Sequence, residues 1–222
     1  MGIDTEGWPK GGLEGTGEER RTGDALKRAV DVVVSACALL LASPFLLVIA
    51  AVIRTTMGSP VLFRQERLGI AGTPFTLYKF RTMTEARGPE GRLLPDAGRL
   101  TRVGRVLRAV ALDELPELVN VLLGDMSLVG PRPLLPSYRE LYTAEQWRRH
   151  EVRPGMAGPV VARGRNALSW KEKFALDVWY VDNRSLPLDL KLLALSSWKA
   201  LTREGVNQPG RATVDYYRGE ET

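Results

Sequence analysis

Residues 38–53 read ALLLASPFLLVIAAVI, the centre of a stretch from Val32 to Ile53 with no charged side chain. Its length meets the ~20 residues that a membrane helix needs, and Ser43-Pro44 falls near the middle. Proline there removes a backbone donor and kinks the helix. The Ser43 hydroxyl can bond the freed carbonyl, which makes the break tolerable in lipid. Lys27 and Arg28 precede the stretch, and Arg54, Arg64 and Arg67 follow it. Basic flanks on both sides conflict with a simple span, because cytoplasmic flanks collect Lys and Arg while external ones do not. Together these features predict a re-entrant helix over 23–58 that enters, bends at Ser43 and Pro44, and leaves on the same side. A proline-kinked transmembrane anchor and a buried soluble helix are the competing readings.

The chain has 222 residues, 44% of them hydrophobic and 26% charged, which is the composition of a globular domain with a real core. A formal charge of +5 points to anionic partners: nucleic acid, an anionic membrane surface or a phosphorylated substrate. One cysteine, Cys37, and one histidine leave no intramolecular disulfide and no structural zinc site, so a metal here is a hard cation held by carboxylates. Residues 1–22 are rich in glycine and charge, without apolar period, and read as a disordered tail. No basic segment precedes a short apolar core, so a cleaved signal peptide fits poorly. Residues 59–204 read as the core domain, and 205–222 as a second tail.

Within the core, SPVLFRQERLG and GTPFTLYKFRTM read as two short strands around a glycine-containing turn. Residues 84–101 form a polar loop. LDELPELVNVLLGDMS places Leu112, Leu115, Val119 and Leu122 at helical spacing and ends at Gly124. PSYRELYTAEQWRRHEV reads as a helix, and so does SWKEKFALDVWYVDN, with Trp170, Phe174, Val178 and Val181 on one stripe. The leucine-rich LPLDLKLLALSSWKALTREG suits either the core or, through Trp198 and Lys199, a membrane interface. The fold class is therefore α+β and mainly helical: a re-entrant membrane helix, a small β-hairpin and interfacial amphipathic helices around a core.

The reactive residue types concentrate in LRAVALDELPEL, where Asp113 and Glu114 adjoin a helix start and Pro116 suits its first turn. The positive end of the helix dipole favours an ionised carboxylate there. On spacing alone the ordinary reading leads: Asp113 caps the helix and Glu114 complements its dipole. The surroundings favour chemistry. Lys79 and Arg81 stand at a strand end, Arg105 and Arg108 precede the acidic pair, and Arg132 lies between two prolines. Arg153, Arg163 and Arg165 occupy glycine-rich loops. Guanidinium forks match phosphate oxygens, so these groups around a carboxylate pair read as a phosphate-binding site. The basic residues are scattered and form no recognition-module signature, which argues against nucleic acid.

Six ordered motifs resemble the bacterial sugar transferase family, the monotopic polyprenol-phosphate phosphoglycosyl transferases in their small catalytic-core form. They are KRAVDVVVSACALLLASPFLLVIAAVI, LFRQERLG, FTLYKFRTM, LDELPELVNVLLGDMSLVGPRP, RPGMAG and GRNALSWKEKFALDVWYVDN, and they cover roughly residues 24–204. The resemblance implies transfer of a sugar 1-phosphate from a nucleotide diphosphate sugar, usually a UDP-sugar, to polyprenol phosphate (undecaprenyl phosphate), with release of UMP and use of magnesium. It implies that Asp113 is the nucleophile, forming a phosphosugar-aspartyl intermediate, and that Glu114 is the magnesium ligand. It makes Ser43-Pro44 the membrane hinge. Lys79, Arg81, Arg105, Arg108, Arg132 and Arg165 are the candidate phosphate-binding residues, and Asp177 supports an arginine or the nucleotide, or is a surface acid.

The implied site of action is the cytoplasmic face of a bacterial inner membrane, where a soluble sugar nucleotide meets a lipid phosphate. One departure stands out. Where family members commonly read GLAQVNGRN, this chain reads GPVVARGRN, with Val161 and Arg163 at the places of a glutamine and an asparagine. A non-catalytic protein that binds polyprenol phosphate or anionic lipid at the membrane surface is the alternative. The sugar, the glycan pathway and the oligomeric state stay open.

Overall fold

The computed structural model describes residues 17–164, 167–202 and 216–219. Its first element, α1 (Gly17–Met57), is one long helix that continues through Pro44. Pro44 cannot donate to the carbonyl of Leu40, four residues back; the Ser43 hydroxyl donates to that oxygen instead, at 2.8 Å. Residues 17–22 are helical and continuous with α1, and residues 1–16 lie outside the described residues. Around the proline Leu40, Leu41, Leu47 and Val48 are exposed, Leu41 to 81%. A helix buried in a soluble core shows the opposite, so that reading is excluded and membrane association fits.

Both flanks of α1 grip the folded body. Lys27 Nζ pairs with Asp189 Oδ2 at 2.6 Å and donates to Val129 O at 3.2 Å. Arg28 donates to Val121 O and Leu122 O at 2.6 and 2.9 Å. The Leu128 N–H donates to Asp31 Oδ1 at 3.1 Å. Beyond the proline, Ile49 and Ile53 pack with Phe80 and Leu107.

The hairpin forms as its alternation predicts. Strands β1 (Leu62–Leu68) and β2 (Pro74–Phe80) pair antiparallel, with Phe63 opposite Lys79 and Arg67 opposite Phe75. Successive side chains point to opposite faces, so Leu77 enters the main core while Phe80 joins the cluster beneath α1. Buried Asn120 covers the open edge of β2: its Oδ1 accepts from Tyr78 N–H at 3.1 Å, and its Nδ2 donates to Thr76 O at 2.7 Å. A paired edge cannot recruit another strand. Loop 84–101 contains one helical turn, α2 (Asp96–Arg99), and leads into α3 (Arg102–Ala109), capped by the Thr101 hydroxyl. Asn120 belongs to α4 (Glu117–Leu123), which stops at Gly124 in the left-handed conformation, φ 94°.

Two predicted helices are broken. Leu112–Glu114 is a separate 3₁₀ turn, and α4 starts only after Pro116. Pro116 has no N–H to continue a ladder, and the break rotates the buried face to Leu118 and Val121, leaving Val119 exposed. The segment 136–151 divides into a 3₁₀ turn (Pro136–Leu141), α5 (Ala144–Trp147) and a second 3₁₀ turn (Arg148–Glu151). Thr143 and Gln146 form a reciprocal capping box that starts a new helix there.

Strands β3 (Ser127–Val129) and β4 (Gly155–Ala157) pair in parallel. A Cβ on Gly155 would lie 2.0 Å from Gly130 N, so only glycine lets β4 reach the loop after β3. The remaining helices are α6 (Pro159–Arg163), α7 (Trp170–Asn183) and α8 (Leu186–Thr202). The α7 stripe buries Phe174, Val178 and Val181 as predicted. Helix α8 buries Leu188 and Leu192 in the core and leaves Leu190 and Trp198 exposed. The described part of the C-terminal tail is docked: Tyr217 is buried beside Tyr138 and Phe174.

Candidate active site

The hairpin, the Leu112–Glu114 turn, the loop after β3 and α7 surround a cleft of about 1410 Å³. Asp113 and Glu114 line it from the 3₁₀ turn rather than from a helix start. Ala111, just before the turn, adopts the left-handed conformation at φ 56°, which costs a non-glycine residue roughly 1–2 kcal/mol. Strain of this kind collects at functional sites, and here it fixes the path of the backbone into the dyad.

The two acids differ. Glu114 Oε1 accepts from Lys79 Nζ at 2.8 Å and from Arg132 Nη2 at 2.5 Å. Lys79 Nζ also lies 2.9 Å from Oε1 of the buried Glu117. Asp113 has no hydrogen bond or ion pair among the described residues. Burial pushes its carboxyl above the usual carboxylate range and adjacent Glu114 pushes it further, with Lys79, Arg108 and Arg132 offsetting part of that. Burial likewise pushes Glu117 up against the attraction of Lys79. Glu114 in turn holds Arg132 more firmly protonated. A clamped Glu114 thus stands beside an open, desolvated Asp113.

The candidate basic residues separate into groups. Lys79 and Arg132 touch the dyad's glutamate. Arg81 and Arg108 line the cleft on the side of α1: Arg81 donates to Met83 O and Pro60 O, and Arg108 Nε to Thr82 Oγ1 at 3.0 Å. Arg105 is exposed on α3, outside the cleft lining. Arg165 lies outside the described residues. Arg153 Nε bonds Gly124 O at 2.9 Å and serves the end of α4. Val161 is buried and lines the cleft, while Arg163 closes α6.

Two cleft arginines escaped the sequence reading. Arg67 is pushed down to about 10, by burial first and by neighbouring Arg132 second. Two crowded guanidinium groups in a cleft favour an incoming anion. The alternation of β1 was the available signal, since Arg67 shares a face with Gln65 and, across the register, with Lys79. Arg149 is buried and forms two bonds to Asp177 Oδ2, at 2.8 and 3.1 Å, and one to Arg132 O at 2.6 Å. Asp177 therefore supports an arginine and is no surface acid; burial pushes its carboxyl up to about 6.

The description "Bacterial sugar transferase" belongs to the family whose profile matches residues 22–203. The chain belongs to the bacterial sugar transferase family. An uncharacterized sugar transferase, EpsL, of Bacillus subtilis (strain 168) is 54% identical over 194 residues, covering 87% of this chain and 96% of that protein. The UDP-glucose:undecaprenyl-phosphate glucose-1-phosphate transferase of Caulobacter vibrioides is 40% identical over 191 residues, covering 82% and 72%. The undecaprenyl-phosphate galactose phosphotransferase of Salmonella typhimurium is 36% identical over 203 residues, covering 84% of this sugar transferase and 42% of its own length. The match to the family spans the hairpin, the dyad, the arginine loops and α7.

Proposed function

We propose that this sugar transferase moves a sugar 1-phosphate from a UDP-sugar to polyprenol phosphate, beginning assembly of a glycan. The observation that carries the reading is the asymmetry of the dyad: Lys79 and Arg132 hold Glu114, while Asp113 stands open in a basic cleft. A desolvated carboxylate with no hydrogen bonds to break is a strong nucleophile. Its oxygen attacks the sugar-bearing β-phosphorus, the bond from that phosphorus to the bridging oxygen breaks, and UMP leaves with the bond's electrons. A polyprenol phosphate oxygen then attacks the same phosphorus, and the Asp113 carboxylate leaves. Each step brings anions together, so charge neutralisation and alignment carry the catalysis. Lys79, Arg67 and Arg132 supply fixed positive charge at the dyad, and Arg81 and Arg108 supply it on the α1 side.

Among the described residues no group of three metal-ligating side chains converges. The neighbouring acids suit an ion that takes one or two carboxylates together with phosphate oxygens, as magnesium does. Glu114, with Asp113 beside it, would hold it, and the ion would offset the charge of the diphosphate when bound.

The same reading seats the protein on the cytoplasmic face of the membrane with α1 re-entrant. Body contacts on both sides of Ser43-Pro44 support this, since one water-facing body cannot hold both flanks of a helix that crosses ~30 Å of hydrocarbon. Exposed Val106, Leu123, Leu190 and Trp198 on α3, α4 and α8 supply apolar surface for the interface.

The relatives' names differ in their sugar, glucose in one and galactose in another, so a screen of UDP-sugars with polyprenol phosphate identifies the donor. With that donor carrying a radiolabel, Asp113→Asn is expected to abolish both the sugar-phosphate adduct on the protein and release of UMP. Full activity in this variant sinks the nucleophile assignment. Lipid binding without UMP release from any UDP-sugar, in the unaltered protein, sinks the enzyme reading.

A further inference from the structure

The stretch Tyr216–Gly219 lies beyond residues 22–203, which the family profile matches, yet it returns to the cleft. Tyr217 anchors it. This residue is 5% exposed, and its ring meets Phe174, Trp170 and Tyr138 at centroid distances of 4.9, 5.5 and 5.8 Å. Its N–H donates to the Tyr138 hydroxyl at 3.1 Å, and its own hydroxyl lies 3.2 Å from Leu141 O and 3.1 Å from Gln146 Oε1. Its neighbour Tyr216 is the contrary case, 70% exposed and lining the cleft. A ring held in place through its neighbour, with its own surface open, is a preformed stacking platform.

Two polar groups share that wall. The Lys173 ammonium sits 4.6 Å from the Trp170 ring centroid and has no ion pair among the described residues. Asp177 is 2% exposed, and its Oδ1 has no hydrogen-bond partner among the described residues although the residue lines the cleft. A buried carboxylate oxygen without a donor is costly, and a ligand N–H or O–H would satisfy it. The opposite flank differs. There Pro60, Val61 and Arg81 adjoin the end of α1 and its aliphatic packing, with no aromatic ring among them.

We propose that Tyr216 is a nucleobase-binding residue of the donor site, carried into the cleft by a C-terminal strap that Tyr217 anchors. The inference rests on the sugar-nucleotide reading above. In a sugar nucleotide only the base has a π face, so the aromatic wall receives the base and the dyad receives the sugar-bearing phosphate. The edge of uracil presents an N–H between two carbonyls; Asp177 Oδ1 accepts from the first, and Lys173 donates to a carbonyl.

The test measures UMP affinity of the full chain in lipid nanodiscs, since UMP carries the base without the transferred sugar. Tyr216→Ala is expected to weaken UMP binding about tenfold, as loss of a base-stacking ring does, with an unchanged melting temperature because the side chain is exposed. Tyr216→Phe keeps the affinity. Turnover with the identified UDP-sugar shows the same rise in its KM and none in the KM for polyprenol phosphate. Tyr217→Ala reproduces the loss by freeing the strap. If Tyr216→Ala binds UMP as the unaltered protein does, the inference fails while the donor reading stands. If the unaltered protein neither binds UMP nor releases it from any UDP-sugar, the donor reading itself fails, and the inference with it.

Discussion

Lys79 carries more charge compensation than any other single side chain near the dyad. Its ammonium lies 2.8 Å from Glu114 Oε1 and 2.9 Å from Glu117 Oε1, and Glu117 is 1% exposed. Two buried carboxylates tolerate each other only while a cation sits between them. Lys79→Met is therefore expected to destabilise the protein by roughly 3–5 kcal/mol, the cost of leaving buried charge unpaired, read as a shift in denaturant unfolding in detergent. Lys79→Met with Glu117→Gln removes one of the two stranded charges and should recover much of that loss without restoring turnover. No recovery in the double variant overturns the pairing. Lys79 stood out in YKFRTM because it ends a strand. Nothing in the sequence around Glu117 sets it apart, and only its burial shows its role.

The decisive element is α1. Its basic flank read as a topology signal, and in the fold it is also a clamp: Arg28 donates to the Val121 and Leu122 carbonyls at the C-terminal end of α4. The last carbonyls of a helix lack donors from a following turn, although Val121 O also accepts from Gly124 N–H at 3.2 Å, and the negative end of the dipole favours a cation there. The clamp binds the first flank to the body that Ile53 packs against after the proline. Single cysteines placed before Gly17 and just after Met57, with Cys37 replaced by serine, test the consequence. In intact cells both are expected to resist an impermeant maleimide and to react after permeabilisation. External labelling of the first site alone would establish a full span and defeat the re-entrant reading.

Across the whole molecule, Arg149 connects two groups that respond to pH in opposite directions. Asp177 rises from an ordinary 3.8 to about 6 through burial, although Arg149 pairs with it. His150 falls from 6.5 to about 4, through burial first and Arg149 second. The folded state binds the Asp177 proton more tightly than the unfolded chain. Its contribution to stability is therefore full below the unfolded value and is lost as pH rises through about 6. For His150 the unfolded chain binds the proton more tightly, so its contribution is full above 6.5 and is lost as pH falls through about 4. His150→Phe should thus gain stability relative to the unaltered protein as pH falls from 6.5 to 4, seen in urea midpoints. A difference that is flat with pH removes His150 from the account.

Local order decided much of this protein. The charge-free run with Ser43-Pro44, the strand pair, the α7 stripe and the stop at Gly124 follow from periodicity, capping and backbone chemistry, all of which act within a few residues. So does the ordered series of motifs that places the chain in its family. The tertiary structure decided what depends on residues far apart. Arg149 meets Asp177 across 28 positions, and Tyr217 reaches Tyr138 across 79. The upward push on Asp113, the hidden charge of Glu117 and the return of Tyr216 to the cleft follow from burial and from charges acting through space. A linear pattern records neither, because both depend on which distant segments exclude water from the same place.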